Sequence, residues 1–129
     1  MTAKRVSQKV PESGVLRACL DLLAAEKIWH RRWNGGAVKI GSRFLRFGKP
    51  GDGDILAIPV VRYQCICCSS GHTVTALHPL WIECKSDSGK QSEDQKNFQE
   101  ECRERSHTYL LVRDVDTLRN WIRKHCEAQ

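Results

Sequence analysis

Two carboxylates and a lysine stand at short apolar runs where charge needs a reason. Asp54 opens the run "ILAI" within "GDGDILAI" (51–58), and Glu83 and Lys85 lie two apart inside "WIECKSDSGKQSEDQ" (81–95). Short runs rich in Ile, Leu and Trp read as buried strands, and a buried charge is costly unless it is paired or bound to metal. Successive side chains of a strand leave opposite faces, so Glu83 and Lys85 share one face while Cys84 takes the other. With Asp54 at the start of the neighbouring strand, two carboxylates converge. Oxygen ligands of this kind suit a hard cation, Mg²⁺ or Mn²⁺, with the backbone carbonyl of Cys84 as a natural third ligand. A lysine beside that metal orients or deprotonates an attacking water and stabilises charge developing on a phosphate. These are the parts needed for phosphodiester hydrolysis.

The elements that must position them are legible from periodicity. "ESGVLRACLDLLAAE" (12–26) puts Val15, Cys19, Leu22 and Leu23 on one stripe at helical spacing. "KIWHRRWN" alternates as a strand before the turn residues Asn34–Gly36, and "AVKI" and "RFLRF" have strand character. "DILAIPVVRYQCIC" and "TVTALHPLWIECK" are expected to pair as one long hairpin, interrupted at Pro59 and Pro79. Ser92 with Gln95 three residues on forms a capping box for a helix to about Arg105. "TYLLV" is a short strand, and "DVDTLRNWIRKHC" a closing helix with Val115, Leu118, Trp121 and Ile122 inward. The order predicts an α/β fold, a mixed sheet flanked by helices.

The 129 residues suit a single domain, 1–129, with 1–10 as a flexible lead. No apolar run reaches a membrane span and the N-terminus has no signal-peptide core, so an intracellular, non-secreted protein without a membrane partner is expected. Seven cysteines, an odd number without a secretory signal, are read as reduced. Cys65, Cys67, Cys68 and His72 lack the paired spacing of zinc sites and are read as packed side chains, not ligands. The net charge of +6 is concentrated. Lys27, Arg31, Arg32, Lys39, Arg43, Arg46 and Lys49 fall in a segment with no Asp or Glu, leaving fourteen basic against fifteen acidic residues elsewhere. A basic face attracts phosphate backbones, though a merely solvated surface has the same composition. Arg31, Arg32, Lys39, Arg43, Arg46 and Lys49 are the candidate DNA-binding residues. Trp29 and Trp33 beside Arg31 and Arg32 are suited to base stacking or to core packing.

Asp54 with "ILAI", then Glu83-Cys84-Lys85, resembles the PD-(D/E)xK nuclease core of restriction-endonuclease-like folds. The agreement is closest with the VRR-NUC domain, a virus-type replication and repair nuclease module. It runs from Glu12 through "RWNGG", "RFGKPGDGDILAI" and "WIECKSDSGKQSEDQ" to "LLVRDVDTLRNWI", and includes the family's Gly89, Ser92 and Gln95 after the lysine. The resemblance implies metal binding by Asp54 and Glu83, a water-activating Lys85, a site-holding Gln95, and a Glu12 that binds metal through water or orients Lys85. It also implies a structure-selective DNA endonuclease with Mg²⁺ or Mn²⁺, in a bacterial or phage-infected cell or a nucleus. For a stand-alone virus-type module it implies a homodimer acting on branched DNA such as four-way (Holliday) junctions. A catalytically inactive nucleic-acid-binding module and a monomeric flap or linear-duplex nuclease are the alternatives. The chain departs from the family twice. Gly53-Asp54 replaces the Pro-Asp pair, with Pro50 upstream, and Val60 to Pro79 is longer than a minimal hairpin and carries "CICC".

Overall fold

The computed structural model describes residues 9–33, 36–64 and 71–127. The turn residues Asn34 and Gly35, the cysteines Cys65, Cys67 and Cys68, and residues 1–8 of the expected lead lie outside the described residues, as does the side chain of Arg46.

Helix α1 (Glu12–Ala25) begins after Pro11 in extended conformation, with Glu12 in its first turn, and buries Val15, Cys19 and Leu23. Leu22, expected on the same stripe, is half-buried at its edge. The chain leaves α1 through Lys27 in the left-handed region (φ 55). It then enters strand β1 (Trp29–Arg32), and an antiparallel pair follows, β2 (Gly36–Ile40) with β3 (Arg43–Phe47).

The expected long hairpin is divided. β4 (Ile55–Ile58) and β7 (Leu80–Cys84) pair antiparallel in the main sheet, while β5 (Val60–Gln64) and β6 (Thr73–Leu77) form a separate two-stranded ladder. Proline has no N–H to give a ladder, so Pro59 and Pro79 end the inner pairing on both strands. The break is sealed by the N–H of His78 donating to the Pro59 carbonyl (3.1 Å) and that of Thr108 to the Pro79 carbonyl (3.0 Å).

Helix α2 (Glu93–Glu104) starts with the full capping box: Ser92 accepts from the N–H of Gln95, whose side chain accepts from the N–H of Ser92. Strand β8 (Thr108–Val112) then pairs parallel with β7, and Asp114 caps α3 (Val115–His125) by accepting from Asp116 and Thr117. The main sheet has the order β1-β4-β7-β8, with its last pair parallel, so the described residues form a mixed α/β fold with a mixed sheet and three helices. None of these helices is long and apolar enough to cross a membrane.

One face of the sheet is core. Ile55, Ala57, Leu80, Ile82 and Cys84 pack there with Val15, Cys19 and Leu23 of α1 and Leu118 and Ile122 of α3. Full burial of each such aliphatic side chain contributes roughly 1.5–3 kcal/mol relative to exposure. The alternate residues, Trp81, Glu83 and Lys85, point to the other face, where α2 lies: Phe98 meets Trp81 edge-on at 5.0 Å and approaches Tyr109 at 6.0 Å.

Candidate metal centre

The loop before β4 is pinned on both sides. Gly51 has φ +91 and sits so close to the first turn of α2 that an added Cβ would lie 2.3 Å from the Asp94 carbonyl, a contact only glycine permits. The Asp52 carboxylate accepts from the Lys49 N–H (3.0 Å) and the Trp33 indole N–H (3.1 Å). Asp54 is then bonded at both ends of the residue: its N–H donates to the Ile82 carbonyl (2.9 Å) and its carbonyl accepts from the Trp33 N–H (2.7 Å). Its side chain is fixed as well, with Oδ2 accepting from the Cys84 N–H at 2.8 Å. An aspartate held this way cannot swing to solvent, and its second oxygen is left for another partner.

Glu83 is 1% exposed. Its Oε1 accepts from Gln95 Nε2 (2.7 Å) and lies 3.5 Å from Lys85 Nζ, which is itself nearly buried. Its Oε2 is buried with no hydrogen-bond partner among the described residues. A buried carboxylate oxygen left unpaired is costly, and a bound cation removes that cost. Burial first and the facing Asp54 carboxylate second push the Glu83 carboxyl up to about 7, against the opposing pull of Lys85.

Glu12 completes the group. One oxygen each from Glu12, Asp54 and Glu83 lies within 4.8 Å of the others. Three carboxylates this close repel one another unless a cation or protons intervene, and their donor chemistry and separation fit a hard divalent metal. Between α1 and the sheet opens a cavity of about 300 Å³ lined by Glu12, Ser13, Leu16, Arg32, Asp54 and Cys84. Cys84, whose carbonyl is the expected third ligand, thus borders the same cleft, while its thiol packs in the core.

Gln95 serves two purposes at once. Its Oε1 closes the capping box of α2 while its Nε2 holds Glu83, so the helix start and the site share one side chain. Arg113 is a positioning residue that sequence reading passes over. Its Nη1 donates to the carbonyls of Ser86 (2.6 Å), Gly89 (2.7 Å) and Asp87 (3.2 Å), clamping the loop that leaves Lys85. The available signal was a single arginine following "TYLLV", informative only once β8 is known to lie parallel beside β7, with Cys84 opposite Val112.

The candidate DNA-binding residues are distributed more widely. Arg32 lines the cleft, Arg31 stands over Trp29, and Lys39 reaches the Phe44 ring on the β2–β3 pair, where Arg43 is exposed. Lys49 is exposed on the pinned loop. Among the described residues, Arg31, Arg32, Lys39, Arg43 and Lys49 make no ion pair, whereas Arg17, Arg62, Arg103, Arg105 and Arg119 each pair with a carboxylate. Among the described residues, the charges of Arg31, Arg32, Lys39, Arg43 and Lys49 are therefore not neutralised by the protein's own acids. His72 of the cysteine-rich segment is exposed. Compared with known proteins, the chain matches no family model, no curated protein and no solved structure.

Proposed function

We propose that the protein is a Mg²⁺- or Mn²⁺-dependent endonuclease that hydrolyses phosphodiester bonds in DNA, a member of the VRR-NUC group of PD-(D/E)xK nucleases. The supporting observation is the convergence of Glu12, Asp54 and Glu83, the last with a buried oxygen that has no partner among the described residues, with Lys85 beside Glu83. Asp54 and Glu83 would hold the cation, and Glu12 would complete its oxygen shell directly or through water. Held by these carboxylates, a cation would supply Lewis-acid chemistry to a phosphoryl oxygen and to an attacking water. Lys85 Nζ, fixed against Glu83, orients that water or carries its proton and offsets charge on the pentavalent phosphate. Arg32, in the cleft and without an acidic partner among the described residues, neutralises a phosphate next to the scissile one. Gln95 and Arg113 keep Glu83 and the loop after Lys85 in place.

The finer reading is a homodimer acting on branched DNA, with four-way junctions the leading substrate. One centre per chain cuts one strand, and a two-fold pair offers two centres to a substrate of matching symmetry. The β5–β6 ladder suits the dimer contact, because β6 is exposed along its whole length and Leu77 is 70% exposed. Leu16 and Leu20 of α1 suit it less, being packed against the core.

The test is cleavage of labelled junctions, flaps, linear duplexes and single strands with Mg²⁺, Mn²⁺, Ca²⁺ or chelator, alongside light scattering. The expected result is symmetric junction cleavage with Mg²⁺ or Mn²⁺, none with Ca²⁺ or chelator, and a mass near twice 14.7 kDa. Binding without cleavage under every metal condition would favour a non-catalytic nucleic-acid module. A monomer cutting duplex as readily as junctions would keep the chemistry and discard the junction reading.

A further inference from the structure

Trp29 and Trp33 are 48% and 40% exposed, unusual for the largest apolar side chain in a chain with a core available. Both belong to one row. Trp29, Arg31 and Trp33 are spaced two apart along β1 and its exit, so their side chains leave one face of an edge strand, opposite Ile58, Leu56 and Asp54 in turn. The Arg31 guanidinium lies 4.8 Å from the Trp29 ring centroid and is steadied by its Nη1 donating to the His30 carbonyl (2.7 Å). Trp33 is not a loose side chain. Its main chain is bonded to Asp54, its indole N–H to Asp52, and its ring stands edge-on to Trp81 at 5.3 Å. The ring is thus fixed against Asp52 and Trp81, with its own main chain bonded to that of Asp54, and part of its surface is open to solvent.

We propose that this row is a stacking track for unpaired nucleotides, which receives a single-stranded DNA segment at Trp29 and leads it past Trp33 to Asp54. The proposal deepens the nuclease reading and rests on it for the destination of the strand, though not for the binding itself. An indole offers a flat apolar surface on which any base stacks, and an arginine between two such rings can meet the backbone phosphate or stack itself. Charge complementarity points to the same occupant: the row lies in the segment of seven cations and no acids, and Arg31 has no carboxylate partner among the described residues. The faces of paired bases are covered within a duplex, so a stacking track selects DNA with an unpaired stretch, as at gaps, flap bases or opened junction centres. The track supplies a structural preference without any reading of base edges.

The experiment is a tryptophan-fluorescence titration of the whole protein with single-stranded oligothymidylate and with blunt duplex, in chelator so that no cleavage is involved. The single strand is expected to quench the emission. Trp29→Ala should weaken single-strand affinity on the order of tenfold while changing duplex affinity by less than about twofold. Trp29→Tyr, which keeps a stacking ring, should restore most of the loss, and Trp33→Phe should fall between. Unchanged single-strand affinity in Trp29→Ala, or an equal loss on both DNAs, overturns the proposal. A Trp29→Ala variant that binds DNA as the wild type does but changes mass in light scattering assigns the row to a protein contact and also overturns it. Stacking of single strands by a protein that cuts nothing with any metal would sink the nuclease reading and leave the track standing.

Discussion

Strand β7 and the lysine after it send alternate residues into two opposite environments. Leu80, Ile82 and Cys84 are fully buried under α1 and α3 among aliphatic neighbours. Trp81, Glu83 and Lys85 are nearly as buried on the other face, yet there the burial acts on charge. On the inner face, exclusion of water is the stabilising event, and even the ionisable member conforms: the Cys84 thiol has its pKa raised by its hydrogen bond with Cys19 and by burial, so it stays neutral. On the outer face the same exclusion of water raises the energy of the Glu83 carboxylate, and one of its oxygens has no donor among the described residues. Equal burial therefore does not mean equal role. One side is closed by apolar packing, and the other holds three carboxylates that could bind a cation.

Substitutions on the two faces should separate cleanly. On the nuclease reading, Lys85→Ala is expected to lower junction cleavage about a thousandfold with DNA affinity nearly unchanged, read by single-turnover kinetics beside a binding titration. A loss confined to affinity would move Lys85 out of the chemistry. Ile82→Ala, three residues earlier and facing the core, should instead cost about 2 to 5 kcal/mol in denaturant unfolding, while the protein that remains folded keeps the metal response of the wild type. Comparable losses of catalysis without destabilisation at Ile82 would erase the distinction between the faces.

The outer face should also carry a pH signature. A carboxyl raised to about 7 from an ordinary 4.5 binds its proton more tightly in the folded than in the unfolded chain. The stabilisation is fully present below pH 4.5 and is lost as pH rises to about 7. Metal-free protein should therefore melt at falling temperature across that interval, and Glu83→Gln should flatten that part of the profile. Mg²⁺ or Mn²⁺, which favours the ionised carboxylate, should flatten it too. An identical slope in wild type and Glu83→Gln would place the titration elsewhere. The smallest effect is expected from Gln95→Ala, which removes the donor holding Glu83 and should weaken Mn²⁺ binding roughly tenfold. Thermal unfolding measured beside calorimetry would tell this from simple loss of the α2 cap, which lowers stability without touching affinity.

Alternation along "WIECK" was legible because a period of two requires no knowledge of the partner strand, and so were the Ser92 cap and the pairing of the Asp54 run with the Glu83 run. Pro59 and Pro79 signalled an interruption, but the division into two separate ladders depends on which carbonyls then accept from His78 and Thr108, a long-range matter. Arg113 was missed for the same reason: its role exists only because β8 lies parallel beside β7, a crossover neighbour not encoded in local periodicity. Gln95 looked like a choice between cap and site, and the two ends of one amide made the choice unnecessary. The exposure of Trp29 and Trp33 was not readable from their spacing, since the same alternation describes a strand covered on both faces and one left open at a sheet edge.

The carboxylate group is most directly tested by calorimetric titration of Mn²⁺ into the wild-type protein and into Asp54→Asn and Glu83→Gln, at a pH just above 7. Specific binding to the wild type, with proton release that grows as pH is lowered toward 7 and loss of binding in both variants, is the predicted result. Equal Mn²⁺ affinity in all three proteins, or none in the wild type, would contradict the assignment of Asp54 and Glu83 as metal ligands.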